Sequence, residues 1–334
     1  MKKIAVLGAG SWGTALALVL LRSRKEHGVC LWARRAELAD ALSKKRVNTD
    51  YLDGFELPPQ LEITSDLAQA VEGAEMVLGV VPSEHARVIY STALPHLSPE
   101  ARMVSATKGL DFPTLERMTQ MIADVLAERF PARVAALSGP SFARETARGD
   151  PTAVVVAAED EALAAEIQEE LAGPTFRLYR TTDMTGVELG GAVKNVIAIA
   201  AGVCVGLGLG HNSAAALVTR GLAELTRLGC ALGGRRETLS GLAGLGDLVL
   251  TCTGALSRNR GVGVALGQGR GLAEIQSATR MVAEGVRTTA ATVELARRHG
   301  IEMPITQQMH AVLYEGRAPR EAIRELMERP LKTE

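Results

Sequence analysis

At 334 residues the chain exceeds the roughly 250–300 residues at which a single hydrophobic core stops growing, so two domains are expected. Lys plus Arg number 37 against 38 Asp plus Glu, a balance that argues against bulk binding of nucleic acid or a membrane surface while leaving room for a local basic pocket. Aromatics make up only 3% of the residues, which leaves no stacking platform for single-stranded nucleic acid.

The four cysteines, Cys30, Cys204, Cys230 and Cys252, form no C-x-x-C pair, and the six histidines show no H-x-x-x-H spacing. Reduced core thiols and no metal site are therefore expected. The apolar run at residues 4–7 breaks at once into Gly8-Ala9-Gly10, which is not a signal peptide. The longest apolar stretch, residues 196–209, is shorter than the roughly 20 residues that span a bilayer and is expected as a buried helix of a cytoplasmic protein without membrane insertion.

In chain order, residues 3–7 fit a strand and 12–24 a helix. Strands follow at 29–33, 76–81, 102–106 and 134–137, with later ones at 153–158 and 176–179. Apolar strands alternating with helices imply a mainly parallel, doubly wound sheet, an α/β architecture. Beyond about residue 182 the pattern turns helical, as at 214–228, 289–298 and 319–327. The expected division is a dinucleotide-binding domain over residues 1–182 and an all-α domain over 183–334.

The segment from Gly8 to Gly13 fits G-x-G-x-x-G, directly after a strand and directly before a helix, which is the context a Rossmann dinucleotide loop requires. Gly8 permits the tight turn, Gly10 lets a pyrophosphate approach the backbone, and Gly13 lets the helix pack close to the strand. The helix N-terminus adds free N–H groups and the positive end of its dipole. The next strand ends at Arg34-Arg35, where an NAD site usually presents an acid; two arginines suit a 2′-phosphate, so NADPH is the expected cofactor, with NADH also accepted.

Four further segments carry chemistry. Lys108 follows the strand at 102–106 and should point into the ligand crevice at the carboxyl end of a parallel sheet. Gly139 and Ser141, in the loop after 134–137, offer hydrogen bonds to a small polyol. Lys194 lies on an apolar helix with Gly190 and Gly191 one turn earlier; loss of solvation should lower its pKa and suit it to proton exchange with a carbonyl or alcohol oxygen, and the small residues should let a ligand come close. Asp247 could orient Lys194 or accept from a substrate hydroxyl. Ser257, Arg258 and Asn259 combine a hydroxyl, a guanidinium fork and an amide, a donor set for a phosphate dianion.

These segments resemble NAD(P)-dependent glycerol-3-phosphate dehydrogenases of the bacterial, biosynthetic type. The match is carried by GAGSWGTALA at 8–17, TKGL at 107–110, LSGPSFARE at 137–145, ELGGAVKNVIAIAAG at 188–202, AALVTRGLAE at 215–224, GLAGLGDLVLTCTGALSRNRGVG at 241–263 and VAEGVRT at 282–288, and it runs in order over nearly the whole chain. The resemblance implies a helical second domain like that of 6-phosphogluconate dehydrogenase, and reduction of dihydroxyacetone phosphate to glycerol 3-phosphate for phospholipid synthesis. It places Ser11 and Trp12 at the pyrophosphate turn, Arg34 and Arg35 at the adenosine ribose, and Ala143, Arg258, Val282 and Glu284 along the cofactor. It gives Lys108 to cofactor and substrate together, Gly139, Ser141, Asp247, Ser257, Arg258 and Asn259 to the substrate, and Lys194 to proton transfer. His211 stands where many relatives carry Asp. The apolar helices of the second half suit a homodimer or a core equally. A β-hydroxyacid dehydrogenase of the same architecture and a non-catalytic NADP sensor are the alternatives; the first would not need the Ser-Arg-Asn cluster, and the second has no reason to keep Lys194 and Asp247 together.

Overall fold

The apolar run after the N-terminal lysines forms β1 (Lys2–Leu7). Successive side chains of a strand point to opposite faces, so Ile4 and Val6 enter one hydrophobic cluster while Ala5 and Leu7 enter another. Burial on both sides is what an interior strand of a helix-covered sheet requires. The computed structural model describes residues 2–112, 114–277, 283–331 and 333. After β1 come β2 (His27–Trp32), β3 (Val47–Asn48), β4 (Leu52–Glu56), β5 (Glu62–Thr64), β6 (Met76–Gly79), β7 (Arg102–Ser105), β8 (Arg133–Ser138), β9 (Thr152–Ala157) and β10 (Phe176–Thr181).

The large sheet has the order β10-β9-β8-β7-β6-β1-β2-β5, and β3 pairs with β4 in a separate ribbon. β1 lies between β2 and β6, so the strand order reverses beside it. That reversal opens a crevice at the carboxyl ends of β1 and β6, where ligands of such sheets bind. The sheet is mainly parallel, as expected, with one departure: β8 and β9 run antiparallel, pairing Ala136 with Ala157 and Ser138 with Val155. The link between them carries only the six-residue helix Ala143–Arg148, too short to return along the sheet before β9 begins.

The chain divides into two compact units, Met1–Glu188 and Leu189–Glu334, the division falling inside the helix Met184–Gly206. That helix is longer than its apolar run of 196–209 suggests, and by length and composition it could cross a membrane. However, 89% of its apolar window is buried, and its residues from Val196 to Val203 form the centre of a cluster with Leu248, Val286 and Met309. Glycines allow its backbone to meet that of the helix Arg258–Gly267. A Cβ on Gly202 would collide with the Arg260 carbonyl, and one on Gly263 with that of Ile199.

The remaining helices of the second unit include His211–Ala231, Asp247–Thr253, Glu284–Arg298, Pro304–Tyr314 and Pro319–Met327. Pro304 suits the first helical position because its missing N–H would have no partner there. The next two amides, Ile305 and Thr306, donate to the buried carboxylate of Glu224 at 2.6 and 3.2 Å. Of the cysteines, Cys30, Cys204 and Cys252 are buried, but Cys230 is exposed and is not the core residue expected. Burial pushes the Cys30 thiol up to about 11 and that of Cys252 to about 12, which leaves both unreactive near neutral pH.

Candidate active site

The turn after β1 is built on close approach. Gly8 has φ +119, and a Cβ there would stand 2.7 Å from the Val80 carbonyl oxygen. A Cβ on Gly13 would collide with the Gly8 carbonyl itself. Gly10 differs: its φ of −76 is open to any residue, and a Cβ there would meet nothing within 4 Å. The packing of the described residues therefore does not require glycine at position 10, and the backbone there is open to close approach. Gly10 is also the N-cap of the helix Ser11–Leu21, whose first amides have no intrahelical partner. The indole N–H of Trp12 is enclosed and lacks a partner among the described residues. Open space over a glycine, free amides and a positive dipole end together fit a dinucleotide pyrophosphate.

The β3–β4 ribbon, too short to show a periodicity in sequence, holds this turn in place. Buried Asn48 donates from Nδ2 to the Ala9 carbonyl at 3.0 Å and to Thr14 Oγ1 at 2.8 Å, and Ser11 Oγ donates to the Tyr51 carbonyl at 2.6 Å. Beside Ala143, at the start of its helix, Arg144 donates to the Asp53 carbonyl at 3.0 Å and lies over the Phe55 ring. Arg34 and Arg35 are both exposed just beyond β2. Arg35 pairs with Asp50 at 3.1 Å, whereas Arg34 has no side-chain partner among the described residues. A cavity of about 140 Å³ beside Arg35, lined also by Lys45, Thr49 and Asp50, is smaller than the roughly 300–1,000 Å³ of a ligand pocket.

Three of the expected substrate residues meet at one carbonyl. Gly139, with φ +144 and with Val154 Cα 2.9 Å from where a Cβ would sit, must be glycine. Its oxygen accepts from Lys108 Nζ at 3.0 Å and from Ser141 Oγ at 2.9 Å.

In the second unit, Lys194 Nζ donates to Asp247 Oδ1 at 2.5 Å and to Thr251 Oγ1 at 2.8 Å, with all three side chains buried. The amine is therefore not surrounded by apolar groups alone, as the helix sequence suggested. The pairing depends on glycines. A Cβ on Gly190 would stand 2.6 Å from the Ala243 carbonyl oxygen, and one on Gly244 would collide with that of Leu239. These contacts seat the π-helical turn Leu242–Gly246 against the Lys194 helix, and Asp247 follows it directly. Gly190 is thus small because protein backbone packs on it, a different reason from the ligand approach expected.

Ser257 caps the helix Arg258–Gly267, its Oγ accepting from Arg260 N at 3.2 Å. Asn259 is tied on both sides: its Nδ2 donates to Asn195 Oδ1 at 2.9 Å, and its Oδ1 accepts from Gly285 N at 2.9 Å. Among the described residues its second N–H has no acceptor. Arg258 keeps solvent access, and its pKa is lowered by desolvation while Glu284, nearby, opposes the shift. Arg258, Asn259 and Glu284 therefore sit together around the start of the helix Glu284–Arg298.

The profile of the N-terminal region of NAD-dependent glycerol-3-phosphate dehydrogenase matches residues 3–164, and that of its C-terminal region residues 183–324. The glycerol-3-phosphate dehydrogenase, NAD(P)+, of Koribacter versatilis strain Ellin345 is 58% identical over 335 residues, covering 100% of this chain and 99% of its own. The enzyme of the same name from Acidobacterium capsulatum is 54% identical over 339 residues, covering both chains fully. The crystal structure of glycerol-3-phosphate dehydrogenase from Coxiella burnetii superposes with a TM-score of 0.93 at 44% identity, covering 98% of this chain and 99% of that one. The chain belongs to the NAD-dependent glycerol-3-phosphate dehydrogenase family.

As a member of that family it is an oxidoreductase acting on a CH–OH group with a nicotinamide cofactor, on a Rossmann-like sheet followed by helices. Of the site residues expected from sequence, Val282 lies outside the described residues. His211 opens its helix exposed, and the N-cap, Gly210, offers no side-chain cap. Thr251 and Asn48 are the residues that sequence reasoning passed over. Thr251 follows Asp247 by one helical turn, and that spacing is the signal that would have found it. Asn48 had no such signal, because its partners lie more than thirty residues away in sequence.

Proposed function

We propose that this chain reduces dihydroxyacetone phosphate to sn-glycerol 3-phosphate, using NADPH and also NADH, as a cytoplasmic source of glycerol backbone for phospholipids. The observation that carries the reading is the buried Lys194 amine held between Asp247 and Thr251 in a glycerol-3-phosphate dehydrogenase chain. The proposed division of labour gives residues 1–182 to the cofactor and 183–334 to substrate and catalysis. Gly8, Gly10, Ser11, Trp12 and Gly13 hold the pyrophosphate, and Arg34 and Arg35 meet the 2′-phosphate. Ala143, Arg258, Val282 and Glu284 flank the rest of the cofactor, and Lys108 serves cofactor and substrate. When bound, the reduced nicotinamide supplies the hydride that the carbonyl carbon receives.

Lys194 donates a proton to the oxygen of that carbonyl and stabilises its developing charge, and acts as base in the reverse direction. Asp247 keeps the amine in place. Gly139 and Ser141 hold the polyol end. The helix N-terminus at Ser257, the Arg258 fork and the second N–H of Asn259 take the phosphate dianion. The two competing readings do not need this set: a carboxylate substrate leaves the phosphate donors unused, and a sensor leaves Lys194 and Asp247 idle.

The direct test follows loss of NADPH absorbance when dihydroxyacetone phosphate is added, with NADH run alongside. Turnover with triose phosphate is the expected result, and protein inert with both coenzymes ends the proposal. Arg258→Ala should raise the KM for dihydroxyacetone phosphate by about tenfold or more, since a charge-assisted hydrogen bond is worth roughly 1.5–3 kcal/mol. An unchanged KM moves the phosphate elsewhere.

A further inference from the structure

A trans peptide unit points its carbonyl and its N–H in opposite directions, so a bond that holds one aims the other. In the turn after β1, the unit joining Ala9 to Gly10 is held by its oxygen. The Ala9 carbonyl accepts from Nδ2 of Asn48, the last residue of β3, at 3.0 Å. The Gly10 N–H is therefore aimed away from Asn48, and it begins the run of amides that continues into the first turn of the helix Ser11–Leu21.

Asn48 can act in one orientation only. It is completely buried, and both ends of its amide are engaged. Nδ2 also donates to Thr14 Oγ1 at 2.8 Å, and Oδ1 accepts from Tyr51 N at 3.2 Å. Turning the amide over would set Oδ1 against the Ala9 carbonyl and Nδ2 against the Tyr51 N–H, so a single assignment satisfies both neighbours. The ribbon that carries Asn48 has anchors apart from the turn. Arg46, at its base, donates from Nε to the Leu57 carbonyl at 3.1 Å and from Nη2 to that of Leu61 at 3.0 Å. Arg144 holds the other strand at the Asp53 carbonyl.

Without the Asn48 donor, the buried Ala9 residue keeps a carbonyl that must find another partner or rotate. Gly10 resists rotation little, because glycine populates both halves of φ. Rotation exchanges the edges of the unit and sets an oxygen where an N–H faced outward. A phosphate is drawn to that N–H and repelled by that oxygen.

We propose that Asn48 is a positioning residue for the cofactor, its amide holding the Ala9–Gly10 unit with the carbonyl inward so that the N–H edge is left for the pyrophosphate that NADPH and NADH share. The proposal rests on the reading that the Gly8–Gly13 turn holds that pyrophosphate.

The test titrates the full chain with NADPH and with NADH, beside melting and steady-state kinetics. Asn48→Leu removes the donor without charge, and Asn48→Asp keeps the shape and the acceptor for Tyr51 N. Both should weaken NADPH and NADH alike, by about tenfold or more. The kinetic loss should appear in the KM for coenzyme, with kcat at saturating NADPH within about threefold. Thr14→Val removes the other acceptor of Nδ2 but leaves the Ala9 bond, so it should lower melting while keeping both affinities within about twofold. In the unmodified chain labelled with nitrogen-15 at glycine, the Gly10 amide resonance should move with either coenzyme, a reading that needs no variant to fold. Wild-type affinity in Asn48→Leu, a loss for NADPH alone, a loss confined to kcat, an equal loss in Thr14→Val, or an unmoved Gly10 resonance overturns the proposal. Wild-type affinity in Gly10→Ala instead overturns the parent reading and takes this one with it.

Discussion

Lys194→Ala is expected to lower turnover with dihydroxyacetone phosphate by about a hundredfold or more while leaving NADPH binding nearly intact. General acid–base catalysis by one positioned group contributes roughly 10²–10⁴-fold, and in the proposed mechanism the amine also stabilises the developing alkoxide. The substitution has a second consequence, because it removes the amine from which the buried Asp247 carboxylate accepts at 2.5 Å. Removing one partner of a buried pair destabilises by roughly 3–5 kcal/mol. A lower melting temperature should therefore accompany the kinetic loss, and the rate must be expressed per folded molecule. NADPH titration separates the two effects: binding should persist, since the Gly8–Gly13 turn lies on a different element. Near-normal turnover of folded Lys194→Ala removes this residue from the mechanism, whatever becomes of stability.

The fold was legible where burial imposes a period. β1 alternates Ile4 and Val6 against Ala5 and Leu7 because both faces of its sheet are covered. The three-residue β5 and the β3–β4 ribbon escaped because segments so short show no period. The antiparallel step at β8–β9 escaped because strand direction is set by the length of the link, not by the strand's own residues. In the site, residue types pointed to the chemistry but not to their partners. Lys194 read alone is a lysine in apolar surroundings; Asp247 reaches it only because Gly190 and Gly244 let two backbones touch. Asn259 read alone is a free amide; in the structure Asn195 and Gly285 hold it, so that much of its capacity goes to joining three helices. Hydrogen bonds across more than fifty residues leave no local mark, and a single sequence cannot show which glycine serves backbone packing and which serves a ligand.

The cofactor turn tests that last distinction. Gly13→Ala puts a Cβ into the Gly8 carbonyl, and Gly8 cannot yield easily. Its N–H donates to the Trp32 carbonyl at 3.1 Å, and the segment after the neighbouring strand β6 is tied by Val80 N to Leu7 O at 2.9 Å. The turn must open, at a cost of about 1–3 kcal/mol or more for overpacking a site with no room. Opening it also moves the amides that face the pyrophosphate. NADPH affinity should fall by about tenfold or more, because hydrogen bonds to a charged group are worth roughly 1.5–3 kcal/mol each. Gly10→Ala should behave differently. Its Cβ enters open space at an ordinary φ, so melting should change by no more than the roughly 1 kcal/mol of an altered N-cap. A methyl group standing where the pyrophosphate lies should nevertheless weaken NADPH binding as strongly as Gly13→Ala does. Calorimetric titration with NADPH beside thermal melting of both variants reads the pair of effects. If Gly10→Ala binds NADPH as the unmodified chain does, the open space above Gly10 is not where the phosphates sit, and the cofactor must enter the sheet crevice along another path.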